Sequence, residues 1–363
     1  MNKKYYVTTP IYYVNGAPHL GHAYTTVSTD ALARFKRLDG YDVMFLTGTD
    51  EHGQKVEKAA SVKGVDPQSF TDECSEIFKS LLTKLSVKND DFIRTTEPRH
   101  KDYVKNIWKQ MIENGDIYLD KYSGWYAVTD EAFYAESELI DGKAPTGAVV
   151  EWVEEESYFF KLSKYQDKLI EFYEANPGFI KPESRRNEVM SFVKGGLRDL
   201  SVSRTSFNWG IDVPNDEKHI MYVWLDALFN YLSAIDTDDK KDFWPCDVHV
   251  VGKDILRFHA VYWPAFLMSV GIELPKCIFA HGWLLVDGAK MSKSVGNVVD
   301  PVALVDEYGV DYMRYQILKE MPFGNDGSFS KNTFITKVNA ELCNNIGNLI
   351  QRVVSFAHKN CDG

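Results

Sequence analysis

The chain has 363 residues, of which 44% are hydrophobic and 26% are charged, and its formal net charge at pH 7 is −11. This length exceeds one ordinary hydrophobic core, so we expect two or three domains of a soluble globular protein. The sequence shows no apolar run long enough for a membrane span or a signal peptide, and we expect neither. The net negative charge argues against broad nucleic-acid binding, although it is compatible with a local basic patch.

The first 115 residues alternate short apolar runs with amphipathic stretches. Strands are predicted at "KYYVTTP" and "YDVMFLTG", and helices at "AYTTVSTDALARFKRLDG", "DPQSFTDECSEIFKSLLTKL" and "EPRHKDYVKNIWKQMIENG". Strand–helix–strand alternation of this kind predicts a parallel α/β sheet.

Residues 116–213 differ from the first 115 in composition and pattern. They are rich in aromatic residues and glycine, most of their pattern predicts strands, and two helical stretches follow at the end. We interpret them as a β-rich and helical insertion. The α/β pattern then resumes over 214–292, with "HIMYVW", a helix through Tyr231, the strand "CDVHVVG" and a helix from Asp254 to about Val270. Residues 293–330 contain the helical "DPVALVDEYGVDYMRYQILKE", and 331–363 form a last helix to about His358.

The first chemical signal is "TPIYYVNGAPHLGHAYT", where the first strand ends and the first helix begins. Ligands bind beyond the carboxyl ends of strands in open α/β sheets, and a helix N-terminus there offers free amides and a positive dipole end to phosphate. Gly21 would let a flat ring lie against the backbone, and His19 and His22 could donate to phosphate oxygens. The alternative is two histidines that merely decorate a helix start. A metal site is less favoured, because Asp50 and His52 supply no known ligand spacing.

A second signal is the polar stretch "DGAKMSKSVGN", with Lys290 and Lys293 beside Ser292 and Ser294. On its own, this stretch is equally well interpreted as a solvated loop. The same chain also contains the histidine motif, and both motifs lie at strand ends of an interrupted α/β domain. This combination favours a phosphate-binding function for the lysines.

At this point the chain resembles the class I aminoacyl-tRNA synthetases, and among them the methionyl enzymes. "PHLGH" resembles the HIGH motif of that class, and "KMSKS" is its second signature. The narrower resemblance rests on "TPIYYVNGAPHLGH", "FLTGTDEHGQKV", "YVWLDAL", "VGKDILRFH" and "VDGAKMSKSVGN", which occur in order along essentially the whole chain.

The resemblance implies a methionine–tRNA ligase. The carboxylate of methionine attacks the α-phosphate of ATP, which binds with Mg²⁺, to give methionyl-adenylate and pyrophosphate. The methionyl group then passes to the 3′-terminal adenosine of tRNA(Met). It also implies a Rossmann-like catalytic domain with halves at 1–115 and 214–292, a connective insertion at 116–213, a KMSKS and stem-contact region at 293–330, and the first helix of an anticodon-binding bundle at 331–363.

The resemblance assigns site residues to three groups. The catalytic and phosphate-binding residues would be His19, Gly21, His22, Lys290, Ser292 and Lys293, with Arg204 nearby. The ribose would meet Gly252 and Asp254. The methionine pocket would comprise Ile11, Tyr13, Asp50, Trp224, Ala227, Leu228, Tyr231, Ile255 and His259, with Asp50 binding the ammonium. Without the resemblance, the helical spacing of Trp224, Leu228 and Tyr231 is better explained as ordinary core.

The sequence departs from the family in two places. Many relatives carry cysteine-built zinc knuckles in the insertion, but this insertion has no cysteine, with Ala127 where a ligand would be expected, so we predict no structural zinc. Five scattered cysteines favour a reducing compartment, and we expect a cytoplasmic monomer. Because only the first helix of the anticodon-reading bundle is present, we expect adenylate formation to survive and tRNA charging to be reduced.

Two other classes of function stay open at this stage. Another nucleotidyltransferase with an HxGH motif would share the first signal, although the segments of the methionine pocket would not be expected in it. A methionine- or nucleotide-binding regulator descended from a synthetase is the non-enzymatic alternative. The presence of both histidines and both lysines argues against it, because a pure binder has no transition state to stabilise.

Overall fold

The computed structural model describes residues 3–14, 16–291 and 297–361. The chain divides into two compact units. Unit 1 comprises Met1–Ala17, Thr29–Ser80 and Lys88–Ala280, and unit 2 comprises Pro18–Ser28, Leu81–Val87 and His281–Gly363.

The strands of unit 1, of which the last ends one residue beyond it, follow the chain in this order: β1 (Lys4–Thr8), β2 (Tyr12–Tyr13), β3 (Asp42–Asp50), β4 (Asp91–Arg94), β5 (Ile117–Ala127), β6 (Ala132–Tyr134), β7 (Glu151–Phe160), β8 (Ile180–Lys181), β9 (Leu200–Ser201), β10 (Ser203–Arg204), β11 (Asp212–Val213), β12 (Asp216–Met221), β13 (Val248–Gly252) and β14 (Ile278–His281).

The helices that lie wholly or partly in unit 1 are α1 (Leu20–Leu38), α2 (Gln54–Lys63), α3 (Pro67–Lys84), α4 (Pro98–Glu113), α5 (Gln166–Ala175), α6 (Glu183–Lys194), α7 (Val223–Leu228), α8 (Asn230–Ser233) and α9 (Trp263–Ser269). The first turns of α1 and the last turn of α3 belong to unit 2. A π-helical segment, Phe258–Tyr262, precedes α9.

A sheet with parallel pairing forms the centre of unit 1. Its order is β4-β3-β1-β13-β14-β8, and β2 also pairs with β3 beyond the end of β1. The pairings of β3 with β1, β2 and β4, of β1 with β13 and of β14 with β8 are all parallel. Residues 43–50 of β3 are all buried, as expected for a strand covered on both faces. The predicted α/β class with a parallel sheet is confirmed.

The insertion is built on an antiparallel sheet with the order β6-β5-β7-β9. Strands β5 and β7 pair from Ile117↔Phe160 to Tyr126↔Glu151. A second antiparallel sheet, β10-β12-β11, contains the "HIMYVW" strand. That strand was expected to resume the parallel sheet, and this detail was wrong because β10 and β11 occupy both of its edges.

Unit 2 contains β15 (Leu284–Val286), β16 (Ala289–Lys290), β17 (Gly327–Phe329), α10 (Pro301–Tyr308), α11 (Val310–Glu320), α12 (Lys331–Lys337) and α13 (Asn348–Asn360), with a π-helical segment at Val338–Gly347. The helix predicted after the KMSKS stretch is broken at Gly309, whose φ of 91° ends α10 and begins α11. A core of apolar side chains from α1, α10, α11 and β15 holds this unit together. Within the described residues, no helix is long and apolar enough to cross a membrane.

Candidate active site

Asp50 lies at the carboxyl end of β3, where Tyr13 of β2 is its partner in register. The side chain is buried, the backbone N–H of His52 donates to its carboxylate, and its Oδ1 has no hydrogen-bond partner among the described residues. Burial raises the pKa of Asp50 well above its ordinary value, and the negative charges of Asp226 and Glu131 raise it further. A bound cation would remove this penalty, so the position suits an ammonium ligand.

His259 and Tyr231 are linked by a bond of 2.8 Å between Nε2 and the phenolic oxygen. His259 Nδ1 lies 2.9 Å from the carbonyl oxygen of Ile255, which only accepts, so the ring proton lies on Nδ1 and Tyr231 donates to Nε2. Burial lowers the pKa of His259 to about 4, and the ring is therefore neutral at pH 7. This backbone bond joins His259 to Ile255, another residue that the resemblance assigns to the methionine pocket.

Trp224 packs face to face on Phe258, with ring centroids 3.8 Å apart, and its ring lies edge-on to His259 at 6.0 Å. The single helix expected from Trp224 to Tyr231 is two short helices, because the chain breaks at Phe229 between α7 and α8. The remaining predicted pocket residues also lie in unit 1. Ile11 and Ile255 are half-buried, while Ala227 and Leu228 are fully buried. Phe258 was missed by the sequence reasoning, because nothing in its local pattern separates it from core residues.

A buried network beside Asp50 was also missed. Asp226 of α7 lies between two histidines, with 2.6 Å from its Oδ2 to Nδ1 of His52 and 2.7 Å from its Oδ1 to Nε2 of His100. Burial alone would raise the pKa of Asp226, but the two histidines outweigh burial and lower it to about 2. The signal was present in "GTDEHG", where His52 was weighed only as a metal ligand.

A third buried carboxylate comes from the insertion. Glu131 accepts a bond of 2.8 Å from the hydroxyl of Tyr126 and one of 3.5 Å from the hydroxyl of Tyr13. Tyr13 is thus held by a residue that is 118 positions away in the chain. Sequence reasoning could not find this contact, because no local pattern pairs the insertion with the first sheet.

In unit 2, His19 precedes α1 and caps it. Its Nδ1 accepts the backbone N–H of Gly21 at 3.1 Å, while His22 Nδ1 accepts the backbone N–H of His19 at 3.1 Å. The two rings stack with centroids 3.9 Å apart. Since each Nδ1 is an acceptor, the proton of each neutral ring lies on Nε2. Burial lowers the pKa of His22 well below its usual value, and the neighbouring His19 lowers it further.

The first amides of α1 are all engaged within unit 2. Leu20 donates to the carbonyl of Val299, Gly21 to the ring of His19, and His22 and Ala23 to the carbonyl of His19. The expectation that this helix start offers free amides to phosphate was therefore wrong.

The second motif is described only in part. Lys290 belongs to β16, whose backbone pairs antiparallel with β15 through Leu285↔Lys290. Ser292, Lys293 and Ser294 lie outside the described residues. Their predicted contacts with phosphate stay predictions.

The predicted ribose residues follow β13 in unit 1. Gly252 is its last residue, and Asp254, two positions later, is exposed. Arg204 is only 2% exposed, and it donates to the carbonyl of Ser203 and lies over three aromatic rings, those of Tyr126, Phe133 and Tyr222. The structure does not bring it to an exposed position, and its role near phosphate stays a prediction.

Among the described residues, no group of three or more histidine, cysteine, aspartate or glutamate side chains could hold a metal ion. The predicted absence of a structural zinc stays a prediction. None of the five cysteines is in a disulfide.

A family model described as "tRNA synthetases class I (M)" matches residues 5–151 and 136–354. A methionine–tRNA ligase of Rickettsia conorii is 65% identical over 367 residues, which cover all of this chain and 72% of the relative. The corresponding ligase of Mesorhizobium japonicum is 59% identical, over 99% of this chain and 72% of the relative. The chain belongs to the methionyl-tRNA synthetase family. The resemblance on which the sequence prediction rested is therefore confirmed.

Solved structures of this synthetase family agree with the fold. Mycobacterium tuberculosis methionyl-tRNA synthetase in complex with methionyl-adenylate matches with a TM-score of 0.95 and 57% identity, over 99% of this chain and 73% of that one. The apo form of the Mycobacterium tuberculosis enzyme matches with a TM-score of 0.86 and 52% identity, over 100% of this chain and 71% of that one. The present synthetase chain thus spans about 72% of the length of such relatives.

Proposed function

We propose that the chain is a methionine–tRNA ligase that acts in two steps. An oxygen of the methionine carboxylate attacks the α-phosphorus of ATP, and pyrophosphate leaves with the electrons of the broken P–O bond. A ribose hydroxyl of the 3′-terminal adenosine of tRNA(Met) then attacks the carbonyl of the adenylate, and AMP leaves. The observation that carries this proposal is family membership at 65% identity along the whole chain.

The geometry of unit 1 supports binding of methionine there. Asp50 supplies a buried carboxylate for the ammonium, and its unpaired Oδ1 is the atom that would accept it. Trp224, Tyr231 and a neutral His259 give an aromatic, uncharged surface that suits a thioether, because sulfur gains from ring contacts and makes only weak hydrogen bonds. Ile11, Tyr13, Ala227, Leu228 and Ile255 complete the proposed pocket.

The first step needs positioning and stabilisation of phosphate charge rather than proton transfer. The Nε2–H groups of His19 and His22 support donation to phosphate oxygens, because both Nδ1 atoms are already engaged. Lys290 and Lys293 would neutralise the departing pyrophosphate, with Ser292 beside them. Gly252 and Asp254 would meet the ribose, and Arg204 would act near the phosphates. Mg²⁺ would enter with ATP as part of the substrate.

The domain functions follow from the same proposal. Residues 1–115 and 214–292 form the catalytic domain, 116–213 the connective insertion, 293–330 the stem-contact region and 331–363 the start of an anticodon-binding bundle. We also propose that the protein is a cytoplasmic monomer whose substrates are methionine, ATP and tRNA(Met).

The test is ATP–pyrophosphate exchange across a panel of amino acids, with the wild type and Asp50→Ala. Exchange with methionine and with no other amino acid supports the proposal, and binding of methionine without exchange would support a regulator instead. Asp50→Ala should reduce methionine-dependent exchange by at least a hundredfold, because the ammonium loses its charged partner. Asp42→Ala, the same substitution at the exposed opposite end of β3, is the matched control and should leave exchange unchanged.

A further inference from the structure

Two buried side-chain atoms near the end of β3 have no hydrogen-bond partner within the described part of the chain. They are Oδ1 of Asp50 and Nε2 of His52, and the two residues are 8% and 2% exposed. An unpaired polar atom in such a position costs on the order of 1–3 kcal/mol unless a ligand or water satisfies it. A single ligand with donors on two sides could satisfy both atoms.

The hydrogen bonds of His52 define what its free nitrogen can do. Nδ1 lies 2.6 Å from Oδ2 of Asp226, an ionised carboxylate that only accepts. In the neutral tautomer that this contact favours, the ring proton lies on Nδ1 and Nε2 carries a lone pair. Oδ1 of Asp50 is also an acceptor when the carboxylate is ionised, so a ligand with a donor on each side would satisfy both atoms.

The second histidine on Asp226 provides an internal comparison. His100 is equally buried, but both of its nitrogens are satisfied, Nε2 by Asp226 at 2.7 Å and Nδ1 by the hydroxyl of Ser233 at 2.8 Å. A purely structural histidine in this network is fully bonded. His52 differs in one atom, and its own backbone N–H donates to the carboxylate assigned to the substrate.

We propose that Nε2 of His52 is a second acceptor for the α-ammonium of methionine, with Asp226 fixing the ring in the tautomer that accepts. This inference rests on the proposed function. A primary ammonium has three N–H donors, of which Asp50 takes one and His52 a second. A neutral acceptor adds a directional bond without adding a further charge to a place that already holds several buried carboxylates.

Replacement of His52 by asparagine or by glutamine tests the roles of its two ring nitrogens one at a time. In His52→Asn the amide N–H can replace Nδ1–H toward Asp226, while no atom remains at the place of Nε2. In His52→Gln an amide oxygen can reach the place of Nε2, while the bond to Asp226 is lost. His100→Gln, which keeps a donor for Asp226 and loses only the Ser233 contact, is the matched control.

The measurement is ATP–pyrophosphate exchange as a function of methionine and of ATP concentration. We expect His52→Asn to raise the KM for methionine roughly tenfold or more, as for loss of one bond to a charged group, with the KM for ATP unchanged. His52→Gln should fall between His52→Asn and the wild type, and His100→Gln should stay within about twofold of the wild type. A KM for methionine in His52→Asn within twofold of the wild type overturns the proposal.

A second measurement needs no variant and therefore holds even if His52→Asn folds poorly. In protein labelled with ¹⁵N-histidine, the Nε2 resonance of His52 should have the position of an unbonded acceptor and should shift upfield on saturation with methionine. An unmoved resonance in methionine-saturated protein also overturns the proposal. Failure of the proposed function would look different, because the wild type itself would then show no methionine-dependent exchange.

Discussion

At the scale of single residues, three buried carboxylates in unit 1 are distinguished by their partners. Asp226 is bonded by two imidazoles and Glu131 by two tyrosine hydroxyls, whereas Asp50 accepts a backbone N–H and its Oδ1 has no partner in the parts of the chain that the structure describes. Of the three, Asp50 is therefore the one whose ionised form depends most on a ligand. The sequence prediction of Asp50 rested on the family resemblance, and its role stays a prediction.

This difference leads to a prediction about protons. Because burial and the charges of Asp226 and Glu131 raise the pKa of Asp50, free protein keeps a proton on Asp50 between pH 3.8, where an ordinary aspartate ionises, and the raised pKa. An ammonium favours the ionised form, so methionine binding should release a proton in this window, and affinity should increase as pH rises through it. Calorimetry in buffers of different ionisation enthalpy measures the release. In Asp50→Asn the release assigned to Asp50 should be absent, and an unchanged release would assign the proton to another group.

The histidine pair gives a second prediction at this scale. A Cβ on Gly21 would lie 2.9 Å from Cε1 of His19, so Gly21→Ala must displace the ring that caps α1. We expect a loss of stability of about 1 kcal/mol, typical of a lost cap, and a kcat for exchange lower by at least tenfold. Binding of methionine alone, measured by calorimetry, should be unchanged. A variant with wild-type kcat would show that the stacked arrangement of the two rings is not needed.

At the scale of elements, the close pairing of β3 with β4 requires a residue without a side chain. Gly48 is in register with Ile93, and a Cβ at Gly48 would lie 2.0 Å from the carbonyl oxygen of Ile93. Backbone atoms have no alternative rotamer, so the strands would have to separate two residues before Asp50. Strand geometry and the position of Asp50, the proposed ammonium ligand, are thus linked.

Gly48→Ala should therefore destabilise the protein by about 3 kcal/mol or more, at the upper end of overpacking effects. It should also raise the KM for methionine, because Asp50 moves with its strand. Gly178→Ala is the control, since its Cβ would meet nothing closer than 4.0 Å. Thermal unfolding and exchange kinetics of both variants measure the effects, and equal melting temperatures would contradict the argument.

The sequence predicted elements whose signal is local and missed those that depend on distant partners. Strand β1 and helix α4 follow from apolar periodicity and from the glycine at position 115, whereas α2 ends at a glycine too but is short and polar, with only Val56 and Ala60 buried. The same distinction holds in the candidate site. The motifs identified Asp50 and the histidine pair, but the aromatic surroundings of Arg204 come from residues 126, 133 and 222, which local pattern cannot bring together.

At the scale of the whole molecule, the proposed ligand groups are distributed between the two units. The residues assigned to methionine lie in unit 1, and the histidine pair lies in unit 2. Each unit has its own apolar core. A ligand that contacts one unit should therefore stabilise that unit first.

Hydrogen exchange can measure this effect. Methionine at a hundred times its Kd stabilises its binding unit by about 2.7 kcal/mol, so amides of β3 and α7 should exchange roughly a hundredfold more slowly. Amides of α11 in unit 2 should change much less. Leucine at the same concentration is the control and should leave both unchanged. Equal protection of α11 and β3 by methionine would show that the two units open together.

The absence of a zinc site is a further prediction for the molecule as purified. We expect elemental analysis to find less than about 0.1 equivalent of zinc per chain, because the insertion lacks the cysteine ligands that structural zinc prefers. Treatment with a chelator should leave the melting temperature unchanged. Stoichiometric zinc would overturn the prediction.

The bond from Glu131 to Tyr13 restricts how this enzyme could exchange parts with its relatives. An insertion grafted from another family member would replace the carboxylate that holds a pocket tyrosine, along with the sheet that carries it. Such a chimera could fold and still bind its amino acid poorly. We therefore expect a chimera to bind methionine well only when the insertion and the first sheet come from the same relative.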